Sequence, residues 1–159
     1  MKFLLILTTL LQITTLTAEE LKIRANSFKA DENKGISIFS GDVNILKGND
    51  ELNASKVIIN TDKENKPTKF TADGDVSFFI ETEKGSKYRG EAKKVIFFPK
   101  KKEYHFFENV HLRQLDEKKE ILGDKVVLKI TDGKAYAEGV KKEPVIMIFD
   151  IADDKKEEK

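Results

Sequence analysis

One valine-ended motif returns along this chain at near-constant spacing. Val43, Val76, Val110 and Val140 stand 33, 34 and 30 residues apart. Each closes a similar stretch: Phe39-Ser40-Gly41-Asp42-Val43, Ala72-Asp73-Gly74-Asp75-Val76, Phe107-Glu108-Asn109-Val110 and Tyr136-Ala137-Glu138-Gly139-Val140. A period in this range marks a stacked architecture, in which no unit buries its apolar face alone. The second copy sits inside a long alternating run. Phe70, Ala72, Gly74, Val76, Phe78 and Ile80 share one parity, and residues two apart share one face of a strand.

A second motif alternates with the first. Leu52-Asn53-Ala54-Ser55-Lys56-Val57-Ile58-Ile59 returns as Tyr88 to Phe97 and as Ile121 to Leu128. A weaker first copy is Ile23-Arg24-Ala25-Asn26-Ser27-Phe28. Its parity changes midway: Leu52 and Ala54 share a face, but the next apolar pair is Val57 and Ile59. A β-bulge or corner produces such a one-residue shift. Corners repeated at matching positions fold a sheet over on itself, and small residues there (Ala54, Gly90, Ala92, Gly123) let backbones approach closely. Turn-forming clusters separate the strands at 31–35, 47–50, 62–67, 84–86, 99–103, 116–120 and 132–134. No stretch sustains a helical period. The expectation is an all-β fold.

The ends differ from the body. Lys2 followed by the mostly apolar Phe3 to Leu11, with Ala18 before a cut, reads as a cleaved secretory signal over residues 1–18. The run is short and rich in threonine for a spanning helix. Removing it takes one lysine and no acid, which leaves the charges balanced. Balance argues against a nucleic-acid partner. There is no cysteine, hence no disulfide, thiolate metal site, catalytic thiol or lipid-modified cysteine. Residues 150–159 form a charged tail with nothing to bury.

The ordered alternation of Gly-Asp-Val with Ala-x-Lys-Val, behind the opening Leu21-Lys22-Ile23-Arg24-Ala25-Asn26, resembles the LptA/OstA family of periplasmic lipopolysaccharide transport proteins. The likeness spans roughly residues 20–148. It implies a stacked antiparallel β-jellyroll over 19–149, solenoid-like and open at both ends, with no catalysis and no cofactor. The apolar interior would hold the acyl chains of lipid A. Copies would stack end to end between LptC-like inner-membrane and LptD-like outer-membrane partners of the same fold, so the protein is expected in the periplasm.

Parity names the interior face. It includes Leu21, Ile23, Phe39, Val43, Ile45, Val57, Phe70, Val76, Phe78, Val95, Phe97, Val110 and Leu128. Lipid-facing positions carried over from the family fall on Leu21, Ile23, Phe78, Val95 and Phe97; ordinary core packing is the competing reading for each. A stacked β-fold also leaves strand edges at its ends, which can pair with another copy. The candidates are Leu21, Ile23 and Ala25 at one end and Val145, Met147 and Phe149 at the other. The second edge is apolar on both faces. Lys47, Lys56, Lys94 and Lys125 are candidates to meet phosphates at the groove mouth.

Other chemistry is poorly supported. His105 and His111 lack a ligand cluster at metal-binding spacing. Asp73 and Asp75 could suggest a carboxylate pair for glycoside cleavage, but Asp42 and Asn109 repeat the place of Asp75, as a structural position would. Two further readings stay open: a membrane-anchored LptC-like member with a retained N-terminal helix, and a structural β-solenoid without lipid.

Overall fold

The computed structural model describes residues 20–139 and 143–151. The expected signal segment and most of the charged tail lie outside the described residues, as does Val140. Ten strands run in chain order: β1 (Leu21–Arg24), β2 (Ser27–Asp31), β3 (Ile36–Lys47), β4 (Asp50–Thr61), β5 (Pro67–Glu81), β6 (Lys87–Phe98), β7 (Glu103–Gln114), β8 (Lys119–Lys129), β9 (Ala135–Glu138) and β10 (Ile146–Phe149). No helix occurs among the described residues.

All strands join one antiparallel sheet in the order β1-β3-β4-β5-β6-β7-β8-β10. The two ends are built alike. β1 pairs with residues 44–47 of β3 and β2 with residues 36–40. β10 pairs with residues 119–122 of β8 and β9 with residues 125–128. The outermost layer at each end is therefore a pair of short strands broken where the long strands bend.

The bends are where the second motif changes parity. The register skips between Ser40 and Val43, Asn53 and Lys56, Asp73 and Val76, Glu91 and Lys94, and Phe107 and Val110. β3, β5 and β7 carry the extra residue each time. Two consecutive left-handed residues accommodate it: Gly41 and Asp42, Gly74 and Asp75, Glu108 and Asn109, all at φ between 45° and 85°. Glycine, aspartate and asparagine enter this region at least cost. The Gly-Asp-Val repeat is thus the chemistry of a corner, and the valine after it is the first side chain to re-enter the core. Val43, Val76 and Val110 are all but inaccessible.

The corners turn the sheet into two facing layers. The first layer holds β1, the segments 43–54, 76–92 and 110–123, and β10. The second holds β2, 36–40, 56–73, 94–107, 125–129 and β9. Phe78 of the first layer stacks on Phe106 of the second at 4.4 Å between ring centroids. Corners line one long side of the molecule and the turns line the other. Gly90 explains one close approach within the first layer: a Cβ there would lie 2.1 Å from the carbonyl oxygen of His111 and 2.9 Å from the Phe78 ring.

Two expectations need correction. The long strand Pro67–Glu81 exists, but Gly74 is exposed at the corner rather than inside. In the third repeat the residue that takes the place of Phe39 is Phe106, which is fully buried, and not Phe107. Counting four residues back from Val110 reaches Phe106, the same offset that separates Phe39 from Val43.

Candidate functional site

Cross-strand pairing builds an apolar row through the second layer. Phe28, Phe39, Val57, Ala72, Val95, Phe106, Val126 and Ala137 follow one another in register. The facing row of the first layer runs Ile23, Ile45, Leu52, Phe78, Gly90, Leu112, Ile121 and Met147. Both rows run to the ends of the sheet. Phe28, which caps the second-layer row, is 59% exposed and packs on Phe39 at 4.9 Å. It was missed as an interior position, although it occupies the place of Val57 in the weak first copy of the second motif.

The expected interior residues divide by depth. Val43, Val57, Val76, Phe78, Val95, Val110 and Leu128 are buried. Ile23, Phe39, Ile45, Phe70 and Phe97 are partly buried and pack on that core. Leu21 is exposed at the edge yet lines the cavity described next. Of the expected edge residues, Met147 and Phe149 lie in β10, where all four side chains are exposed. Ala25 lies one residue past β1, and Val145 one residue before β10.

Between the layers, toward the β1 end, lies a cavity of about 260 Å³. Leu21, Ile45 and Leu52 of the first layer face Phe70, Phe97 and Tyr104 of the second across it. Phe70, Phe97 and Tyr104 form a ring ladder, with centroids 5.9 Å and 4.4 Å apart. Pro67 and Pro99 on one rim and Lys47 and Asp50 on the other frame the opening on the turn side. Tyr104 reaches across the mouth, its hydroxyl 3.4 Å from a carboxylate oxygen of Asp50. A second, more polar cavity of about 540 Å³ lies beyond it, between the 47–50 turn and Glu81, Thr82, Glu83, Lys102 and Ile130.

Of the four lysines expected at the mouth, only Lys47 lies there. Lys94 instead pairs with Asp73 at 3.6 Å, and Lys125 with Glu138 at 3.2 Å. In both cases the register sets a carboxylate directly opposite on an adjacent strand. Lys56 stands beside Asp73 on the same outer face.

The remaining polar groups support the strands. His111 Nε2 is 2.6 Å from Glu120, and His105 Nε2 is 3.1 Å from Glu103. The His105 hydrogen bond holds the Glu103 carboxyl below its ordinary range, with Lys129 adding to the effect. No group of three or more potential metal ligands occurs among the described residues. Asp75, at φ 45°, belongs to a corner.

A family model described as LptA/(LptD N-terminal domain) LPS transport protein matches residues 22–134. The fold also matches the crystal structure of LptH, the LptA homologous periplasmic component of the conserved lipopolysaccharide transport device from Pseudomonas aeruginosa. That match has a TM-score of 0.73 at 16% identity and covers 84% of this chain and 96% of LptH. No curated protein sequence matches the chain.

Proposed function

Since this chain belongs to the LptA/LptD N-terminal family of lipopolysaccharide transport proteins, we propose that it is a periplasmic bridge of that transport path. It takes the acyl chains of lipopolysaccharide into the space between its two layers and passes them along its length. The observation that carries this reading is the apolar cavity between Leu21, Ile45 and Leu52 and the Phe70-Phe97-Tyr104 ladder. At about 260 Å³ it lies near the lower end of ordinary ligand pockets, roughly 300–1,000 Å³. It therefore suits a stretch of one chain; a lipid with several chains requires the layers to part. Each methylene taken from water contributes about 0.8 kcal/mol, so a six-carbon stretch is worth roughly 5 kcal/mol on the same scale.

Assembly end to end follows from the edges. β1 and β10 each leave one side of a strand unpaired, and β10 exposes Ile146, Met147, Ile148 and Phe149 by half or more. Strand addition between β10 of one copy and β1 of the next would cover those side chains and join the apolar rows. The LptC-like and LptD-like proteins of the same fold would use the same edges at the two membranes. Export with removal of residues 1–18 places the chain in the periplasm, as LptH is. A mature protein beginning near Glu19 supports this; a retained segment supports the anchored, LptC-like alternative.

The test is photo-crosslinking in cells. A photoreactive amino acid replaces Ile23 or Phe97, which face the interior, or Lys22, which faces out. Lipopolysaccharide adducts are expected at Ile23 and Phe97 and not at Lys22. Absence of adducts at both interior positions, in folded and exported protein, would refute the lipid path and favour a structural solenoid.

A further inference from the structure

The outer face of the first layer carries an arrangement of charge that the strands themselves do not need. Two of the chain's three arginines, Arg89 and Arg113, stand directly opposite each other on β6 and β7. Each follows a buried residue, Tyr88 and Leu112, so both side chains point away from the groove. Phe79 precedes them in the same cross-strand row, and Glu120 follows. Lys87 lies two residues before Arg89 on the same face. Like charges set opposite one another across a sheet destabilise it. On the second layer the register avoids this: Lys94 meets Asp73, and Lys125 meets Glu138.

The acids around the cluster have other partners. Glu120 takes His111 Nε2 at 2.6 Å rather than Arg113 opposite it. Asp116 accepts the Lys87 amide at 2.9 Å and the Gln114 side chain at 3.3 Å. Glu81 accepts from Asn49 at 3.0 Å, and Glu117 holds the Lys119 ammonium. Among the described residues, no carboxylate is in ion-pair contact with the side chain of Lys87, Arg89 or Arg113. Both guanidiniums are nonetheless held in place. Arg89 lies over the Phe79 ring, 5.7 Å from its centroid, and a stacked guanidinium keeps its N–H edge for another partner. Arg113 is half-buried, and its Nε is enclosed without a hydrogen-bond partner among the described residues. Enclosing part of a charged group with nothing opposite it costs stability.

We propose that Arg89 and Arg113, with Lys87 beside them, form a binding site for a phosphate group on the outer face of the first layer. A phosphate offers oxygens in several directions and meets two guanidiniums at once, whereas a carboxylate matches a single guanidinium fork. Residues directly opposite in an antiparallel pair have Cβ atoms about 4.5–5.5 Å apart, close enough for one tetrahedral anion to bridge them. The site lies two residues in from the turn-side edge at Glu81 and Lys87. The groove opens along that same side. An amphiphile whose chains enter there keeps its charged head in water, and the outer face of the first layer is one of the two surfaces flanking that opening. The site stands on the outer face by itself. The lipid reading above supplies one source of the phosphate, a lipid head; free phosphate is the other.

Arg24, exposed on β1 of the same layer, is the control. Isotope-labelled full-length protein is titrated with inorganic phosphate while the arginine Nε–H signals are followed by nuclear magnetic resonance. The Arg89 and Arg113 signals should shift saturably, and the Arg24 signal should not. Arg89→Gln with Arg113→Gln should weaken phosphate binding at least tenfold with the far-ultraviolet circular dichroism unchanged, and Arg24→Gln should leave it as it is. Arg89→Gln alone, at an exposed position, carries the test if the double variant does not fold. Absence of a saturable shift at Arg89 and Arg113, or unchanged phosphate affinity in these variants, overturns the site. Purified lipopolysaccharide, intact and dephosphorylated, then separates the sources. Weaker binding of the intact form by the variant, with the dephosphorylated form bound alike by both proteins, assigns the site to a lipid head. Equal binding of the intact form assigns it to free phosphate. If neither protein binds lipopolysaccharide in any form, the lipid reading fails and the phosphate titration still decides the site.

Discussion

Gly74 and Gly85 provide a test of the corner chemistry with a built-in control. Both hold nearly the same left-handed backbone, φ +85° and +84°. Their surroundings differ. A Cβ on Gly85 would meet nothing within 4 Å, whereas one on Gly74 would lie 2.6 Å from Oγ and 2.7 Å from Cβ of Ser55. In Gly85→Ala only backbone terms act. Left-handed strain costs about 1–2 kcal/mol, and the stiffer unfolded chain returns about 0.4–1 kcal/mol. The net loss is roughly 1 kcal/mol on those figures. Gly74→Ala adds overpacking against the short, stiff side chain of Ser55, about 1–3 kcal/mol, for a total near roughly 3 kcal/mol. Urea unfolding followed by far-ultraviolet circular dichroism measures both. Ser55→Gly removes the obstructing atoms, so the double variant should recover most of the difference, less the hydrogen bond from Ser55 Oγ to the Gly74 carbonyl at 3.2 Å. If Gly74→Ala is no worse than Gly85→Ala, the packing of β4 against the β5 corner is not as described, and the two-layer geometry loses its support there.

Other perturbations have expected outcomes of their own. Phe106→Ala removes a fully buried ring stacked on Phe78 and should cost about 3–5 kcal/mol; Phe107→Ala, on the outer face, should cost less than half as much in the same unfolding assay. Glu108 holds φ 62° without being glycine, so Glu108→Gly should raise stability by up to about 1 kcal/mol as strain relief exceeds added chain entropy; a fall would mean the corner is not strained. Asp116 accepts the Lys87 amide at 2.9 Å, and that hydrogen bond lowers its carboxyl pKa in the folded state. A depressed folded value gives stability that is present above the unfolded value and lost as pH falls through the folded one. Urea midpoints should therefore decline as pH drops below about 4, and Asp116→Asn should flatten that decline; an unchanged slope would discount the contribution. Met147→Lys with Phe149→Lys should reduce self-association in analytical ultracentrifugation while leaving the monomer folded, since both side chains are exposed on β10; undiminished association would move the interface elsewhere.

The sequence by itself determined the strands, their alternation and the places where they bend. These are local matters. Parity reports which side chains share a face, and its change within the second motif reports where the strands bend; that the paired residues before Val43, Val76 and Val110 turn left-handed to absorb an extra residue came only from the structure. The apolar edge at 146–149 was legible for the same reason, though only the sheet order put it at the end with both faces exposed. Position within a repeat was read less well. Phe106 was passed over for Phe107 because both are phenylalanine, and only a count from the valine separates them. Phe28 was passed over because its copy of the motif is weak. The partners of Lys94 and Lys125 lie on neighbouring strands, so their diversion to the outer face was fixed by register. The cavity and the contacts among the turns at Glu83, Lys102 and Ile130 were decided by tertiary structure alone. Glu83, Lys102 and Ile130 carry no shared pattern; their contacts arise because the corners swing two rims of turns toward each other, and how closely the rims meet depends on the summed bend of every strand between them.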